Sequence, residues 1–123
     1  MDALDILKGA RFTLSLPGAW HRGYFASDAY GNHVALNHPD ALRFCLIGAI
    51  DREAMVAGEP IEVTAGAKAL LADWLTRRYA ERYAPEKFPG LALWNDFQSN
   101  VRPVLSLLDE VIAHLEFTNA GKV

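Results

Sequence analysis

The sequence predicts a mainly α member of the α+β class: about four helices around a central apolar helix, with a small β-hairpin, in one globular domain spanning residues 1–123. Three observations carry that expectation. Between Leu42 and Ile50 the only charged residue is Arg43, and Phe44-Cys45-Leu46-Ile47-Gly48-Ala49-Ile50 has no polar member, a pattern that belongs inside a domain. Other stretches repeat apolar residues at three- and four-residue spacing, the mark of amphipathic helices. Aromatic and β-branched residues flank the polar stretch Ser27 to Asn32, as in a short hairpin.

In chain order, Asp2 to about Ser15 reads as a first helix with Leu4, Leu7, Arg11 and Leu14 on one stripe and Ile6 and Ala10 beside it. Pro17-Gly18 stops it. Trp20 to Ala26 and His33 to Leu36 are expected to pair across a Tyr30-Gly31-Asn32 turn, where Gly31 or Asn32 can take positive φ. The central helix is expected over Pro39 to Ala49, with Pro39 in the first turn and Asp40 at the positive end of the dipole. Asp51-Arg52-Glu53 lead it outward to a C-cap at Gly58. Glu59 to Val63 reads as an extended connector. Thr64 is a candidate N-cap for a helix through Tyr83, with Ala67, Leu70, Leu71, Trp74, Leu75 and Tyr79 inward and Ala84-Pro85 at its end. A loop with Pro85, Pro89 and Gly90 precedes Leu91 to Asp96. The last helix is expected from about Val101 to Phe117, capped by Asn100, with Pro103 in its first turn and residues 118–123 as a frayed tail.

Composition is that of an ordinary globular chain, 51% hydrophobic and 22% charged, and long enough to bury a core. A net charge of −3 supplies no basic field for nucleic acid or an anionic membrane. The basic pieces Arg77-Arg78 and Arg82 are interrupted by Asp73 and Glu81, as on a solvated helix face. A single cysteine, Cys45, excludes an intramolecular disulfide and a multi-thiolate zinc site. Asp2, Asp5, Lys8 and Arg11 break any apolar leader, so a cytoplasmic location is expected.

The chemistry-bearing residues are few. Cys45 is the candidate nucleophile, with His38 seven residues earlier and His21, His33, Asn95 and Asp96 as further partners from which a base and an orienting group would come. Its expected place inside an apolar helix argues for a buried, inert thiol, and Cys45→Ser is then expected to cost about 1–3 kcal/mol. His21 and His33 on facing strands, with Asp28 or His38 nearby, lack any metal-binding helix spacing, so no metal and no cofactor are expected. Trp94-Asn95-Asp96 reads as a packing tryptophan followed by residues that satisfy backbone groups near the last helix. The alternative is a polar cleft joining Asp28, Asn95 and Asp96. No phosphate loop, dinucleotide fingerprint or nucleophile elbow occurs.

At W-H-R-G-Y-F-A-S-D-A-Y-G, H-P-D-A-L-R-F-C-L-I-G-A, W-N-D and V-L-S-L-L-D-E-V-I the sequence resembles an uncharacterised domain-of-unknown-function family of small bacterial and phage proteins. The matching positions are Trp20, Gly23, Asp28, Gly31, Phe44, Cys45, Gly48, Ala49 and Trp94-Asn95-Asp96, and the resemblance covers most of residues 20–112. Residues 58–89 carry no matching motif. The resemblance implies a common fold and brings no catalytic role.

The expected function is therefore a small non-catalytic interaction protein, of phage or mobile-element accessory type, with a protein partner or a second copy of itself. No membrane or nucleic acid is expected among its partners. Tyr24, Tyr30, His33 and Phe97, with Asp28, Asn95 and Asp96, form the expected recognition surface, because aromatic residues beside polar ones on loops suit interfaces. A small cysteine-dependent hydrolase or transferase is the alternative.

Overall fold

The computed structural model describes residues 1–80 and 90–120. Within them the chain is mainly helical, with five α-helices and a two-stranded antiparallel sheet. Helix α1 (Ala3–Ser15) starts where Asp2 accepts a hydrogen bond from the Asp5 amide, and it buries Ile6, Leu7, Ala10 and Leu14. The sheet joins β1 (Ala26–Ser27) to β2 (Arg43–Phe44), with Ala26 opposite Phe44. Helix α2 (Leu46–Val56) follows directly, a 3-10 turn (Ile61–Thr64) leads into α3 (Ala65–Ala80), and α4 (Leu91–Phe97) and α5 (Arg102–Ala120) complete the set.

Helix α1 packs on α2, α3 and α5, and α2 also meets α4. Ile6, Leu7, Leu14, Leu46, Ile50, Leu71, Leu75, Val104, Leu107, Leu108 and Val111 fill the common core. Among the described residues no helix is long and apolar enough to cross a membrane.

Several boundaries differ from the sequence reading. Residues 39–45 are not helical: the chain runs extended through Arg43-Phe44, and α2 begins at Leu46 with Cys45 as N-cap. The reason is tertiary. The Phe44 amide donates to the Ala19 carbonyl (2.7 Å), its carbonyl accepts from the His21 amide (3.1 Å), and the Leu42 amide donates to the Ser27 carbonyl (2.9 Å). These partners satisfy a backbone that a helix would otherwise have satisfied locally.

The strands of the sheet are accordingly β1 and β2 rather than residues 20–26 and 33–36. The expected turn survives as a single Ser27–His33 bridge closed by an Asp28–Asn32 loop, with Gly31 at φ +84°. The connector after Glu59 coils into the 3-10 turn, and the Thr64 hydroxyl reaches Asp51 and the Ile61 carbonyl instead of capping α3. Leu91 to Phe97 forms a helix, and α5 continues through residues 118–120, expected to fray. The expected helix end at Tyr83, the Pro85–Pro89 loop, Phe88 and residues 121–123 lie outside the described residues.

Candidate functional site

The site is built around Asn95, fully buried on the inner face of α4 beside Leu91 and Trp94. Its Oδ1 accepts from the Trp20 indole N–H (2.7 Å) and from the Leu46 amide (3.1 Å). Its Nδ2 donates to the His21 carbonyl and to Asp96 Oδ1, each at 3.2 Å. Both acceptor positions and both N–H groups are thus engaged. The Leu46 amide belongs to the first turn of α2, where no carbonyl of the helix itself can reach it. Asn95 therefore ties three segments of the chain: the Trp20–His21 segment, the α2 N-terminus and α4.

Cys45 stands at that same N-terminus, not inside the helix. Its Sγ accepts a hydrogen bond from the Gly48 amide (3.3 Å), which makes the thiol part of the cap. Gly48 faces the Phe25 carbonyl so closely that a Cβ there would overlap it. The thiol is 5% exposed. Burial pushes its pKa up, while the Gly48 and Ile47 amides pull the other way and lose. A helix N-terminus ordinarily activates a thiol, but here desolvation outweighs the amides.

Above this junction lies a cleft of about 310 Å³. Residues Gly23 to Phe25 form one wall and Ala92 and Asp96 of α4 another, and Cys45 and His33 also line it. Ala92 and Asp96 are four residues apart, so one face of α4 presents both. Asp96 Oδ1 accepts from the Gly23 amide (3.0 Å), which holds the two walls together. Gly23 has φ +91°, a conformation that favours glycine. The Tyr24 and His33 rings stack with centroids 5.2 Å apart and planes 12° from parallel.

His21 braces this wall from behind. Its Nε2 lies 2.7 Å from the Tyr24 carbonyl, an obligate acceptor, so Nε2 carries the proton and Nδ1 accepts from the Ser27 hydroxyl (2.9 Å). Burial lowers the His21 pKa, against the opposing pull of the Tyr24 carbonyl.

The other sequence candidates lie elsewhere. His38 does not line the cleft: its Nδ1 accepts from the Asp40 amide (3.0 Å). Among the described residues the thiol has no imidazole hydrogen-bonded to it, and the Cys45–His38–Asp96 arrangement is not assembled. Asp28 organises its own loop. Its Oδ1 accepts from the Tyr30 and Asn32 amides at 2.9 and 2.8 Å, and these bonds, the Asn32 amide foremost, hold its carboxyl below the usual range. Tyr30 lines a separate groove with Asp28, Pro39 and Leu42.

Phe97 is exposed on α4, one residue beyond Asp96. Among the described residues no three metal-ligating side chains come together. Phe25 and Ala92 were missed as cleft walls. Helical spacing from Asp96 would have found Ala92 once residues 91–97 were read as a helix.

A family model matches residues 1–114. The chain belongs to the family of unknown function DUF6197. The positions that carry the sequence resemblance gather here: Trp20 bonds Asn95, Gly23 bonds Asp96, Cys45 bonds Gly48, and Phe44 bridges Trp20. In this DUF6197 chain Asp28 and Gly31 instead shape the adjoining turn. No curated protein and no solved structure matches the chain.

Proposed function

We propose that this DUF6197 chain is a non-catalytic recognition domain that binds a protein partner at the mouth of the Tyr24–Asp96 cleft. The observation that carries the reading is the uncovered aromatic rim of that mouth. Tyr24 and Phe25 are each 51% exposed, and Phe97 on the neighbouring face of α4 is 69% exposed. Aromatic residues around a pocket with a polar rim match the make-up of interface hot spots. The walls are held by the Gly23–Asp96 and Asn95 bonds, so the rim is preorganised and loses little freedom on binding.

A thiol-dependent enzyme is the second reading, favoured by the place of Cys45 at a helix N-terminus on the cleft wall. Against it stand the raised thiol pKa and the lack of a bonded base among the described residues.

Selection of a random peptide library on the intact protein tests the first reading. Selected peptides should lose about tenfold or more in affinity on Tyr24→Ala combined with Phe97→Ala, with the thermal midpoint little changed. Native Cys45 should react slowly with a thiol reagent and quickly in denaturant. Peptide binding indifferent to the double substitution would remove the recognition reading. Fast native labelling would restore the enzyme.

A further inference from the structure

We infer that the cleft accepts an organic cation on an aliphatic stem, the lysine or arginine side chain of a partner protein. This rests on the recognition reading above and names what is recognised.

The charge is the first argument. Among the described residues Asp96 is the one acidic group lining the cleft, and no basic residue lines it apart from His33. Its Oδ1 is taken by the Gly23 amide and Asn95 Nδ2, while its Oδ2 has no hydrogen-bond partner among the described residues. A carboxylate fixed through one oxygen and open at the other is a ready acceptor for an N–H cation. The basic side chains nearby are directed elsewhere: Arg22 reaches the Gln98 carbonyl (3.3 Å) and Arg43 the Ala29 carbonyl (3.4 Å). No arginine of the chain itself is hydrogen-bonded to Asp96 among the described residues.

The walls are the second argument. Tyr24 and Phe25 line the cleft with aromatic rings, a residue type that attracts a cation, and Tyr24 is held by its stack on His33. Ala92 and the buried Cys45 thiol give apolar contact for methylene groups. A volume of about 310 Å³ stands at the small end of ligand pockets, which suits one inserted side chain. A carboxylate or phosphate would meet Asp96 head on and is disfavoured. The net charge of −3 adds a weak general attraction for a basic partner.

Small analogues test this on the intact chain by amide NMR at mildly alkaline pH: n-butylammonium, n-butylguanidinium, butanol and butyrate. At least one cation should shift the Gly23 and Asp96 amides saturably, butanol should bind about tenfold more weakly, and butyrate should not bind. Asp96→Asn keeps an oxygen for the Gly23 and Asn95 bonds but removes the charge, and should weaken cation binding about tenfold. Tyr24→Leu should weaken it as well.

Equal binding of butanol and the cations, or cation binding unchanged in Asp96→Asn, overturns the assignment. If the selected peptides still shift the cleft amides, only the cation assignment fails and recognition at the cleft stands. If neither analogues nor peptides move those amides, both fail.

Discussion

Asn95 has no spare hydrogen-bonding capacity, and the Trp20 indole N–H and the Leu46 amide both depend on its Oδ1. Asn95→Ala strands the Trp20 indole N–H and the Leu46 amide, at a cost of about 1–3 kcal/mol for each donor left buried without a partner. Urea denaturation should show that loss. Asn95→Asp keeps the acceptor but brings a charge beside Asp96, and should fall between wild type and Ala. Cys45→Ser, by contrast, should cost less than expected for an interior cysteine, because a serine hydroxyl can take the Gly48 amide as an N-cap. The three adjacent letters W-N-D thus divide their work: Trp94 packs, Asn95 joins segments, and Asp96 both braces Gly23 and faces the cleft. The sequence offered the residue types and their turn-forming habit. It could not offer the partners, which lie 49 to 75 residues away.

At the scale of elements, two helical glycines make a contrast. Gly48 at the start of α2 abuts the Phe25 carbonyl, which is backbone immediately before β1. Gly9 in α1 abuts the carboxyl end of Glu53 on α2, a flexible side chain. Gly48→Ala should therefore cost about 3 kcal/mol or more and separate the cleft wall from α2. Gly9→Ala should stay within about 1 kcal/mol of wild type, since the helix propensity gained offsets the displacement of Glu53. Chemical denaturation of both variants, with amide NMR of Gly23 and Asp96, checks the ranking. A similar or larger loss at Gly9 would mean that Glu53 cannot move aside. Periodicity made α1, α3 and α5 legible, because each buries a stripe. It failed at residues 39–45, where a short apolar run fits strand and helix alike.

Over the whole molecule, ion pairs tie α1 to α5 at Lys8–Glu116 (2.9 Å) and Arg11–Asp109 (2.8 Å), and Arg78 of α3 pairs with Glu110. All are exposed and contribute little to stability. Lys68–Asp51 (2.6 Å), partly buried and shared with the Thr64 hydroxyl, is the better-sheltered link between α2 and α3. Two groups shifted chiefly by burial, His21 and Glu53, contribute opposite pH dependences. His21 has a lowered folded pKa, so its contribution is complete above about 6.5 and is lost as pH falls through the lowered value.

Glu53 has a raised pKa, chiefly from burial, so the folded chain holds that proton more tightly than the unfolded one. Its contribution is present below about 4.3 and lost as pH rises through the raised value. Glu53→Gln should accordingly raise the thermal midpoint at neutral pH, with the gain vanishing in acid. His21→Gln should flatten the fall in midpoint below about pH 6.5. Thermal melts across pH for the three proteins measure both slopes. An unchanged acid slope in His21→Gln would remove His21 as its source.

By itself the sequence determined the helical class, the inward Ile6, Leu7, Ala10 and Leu14 of α1 and Ala67, Leu71 and Leu75 of α3, and the stop at Pro17-Gly18, because each follows from side-chain periodicity or local backbone preference. Only the tertiary structure decided that Arg43-Phe44 pairs with β1, that Cys45 caps a helix, and that Asp96 rather than Asp28 faces the thiol across a cleft. Those outcomes depend on hydrogen bonds that oxygens of Ala19, Ser27 and Asn95 accept from backbone amides far along the chain. A local pattern carries the preference of a segment. It does not carry the partner that overrides that preference: at this junction the Phe44 and Leu46 amides are satisfied by Ala19 and Asn95, far along the chain.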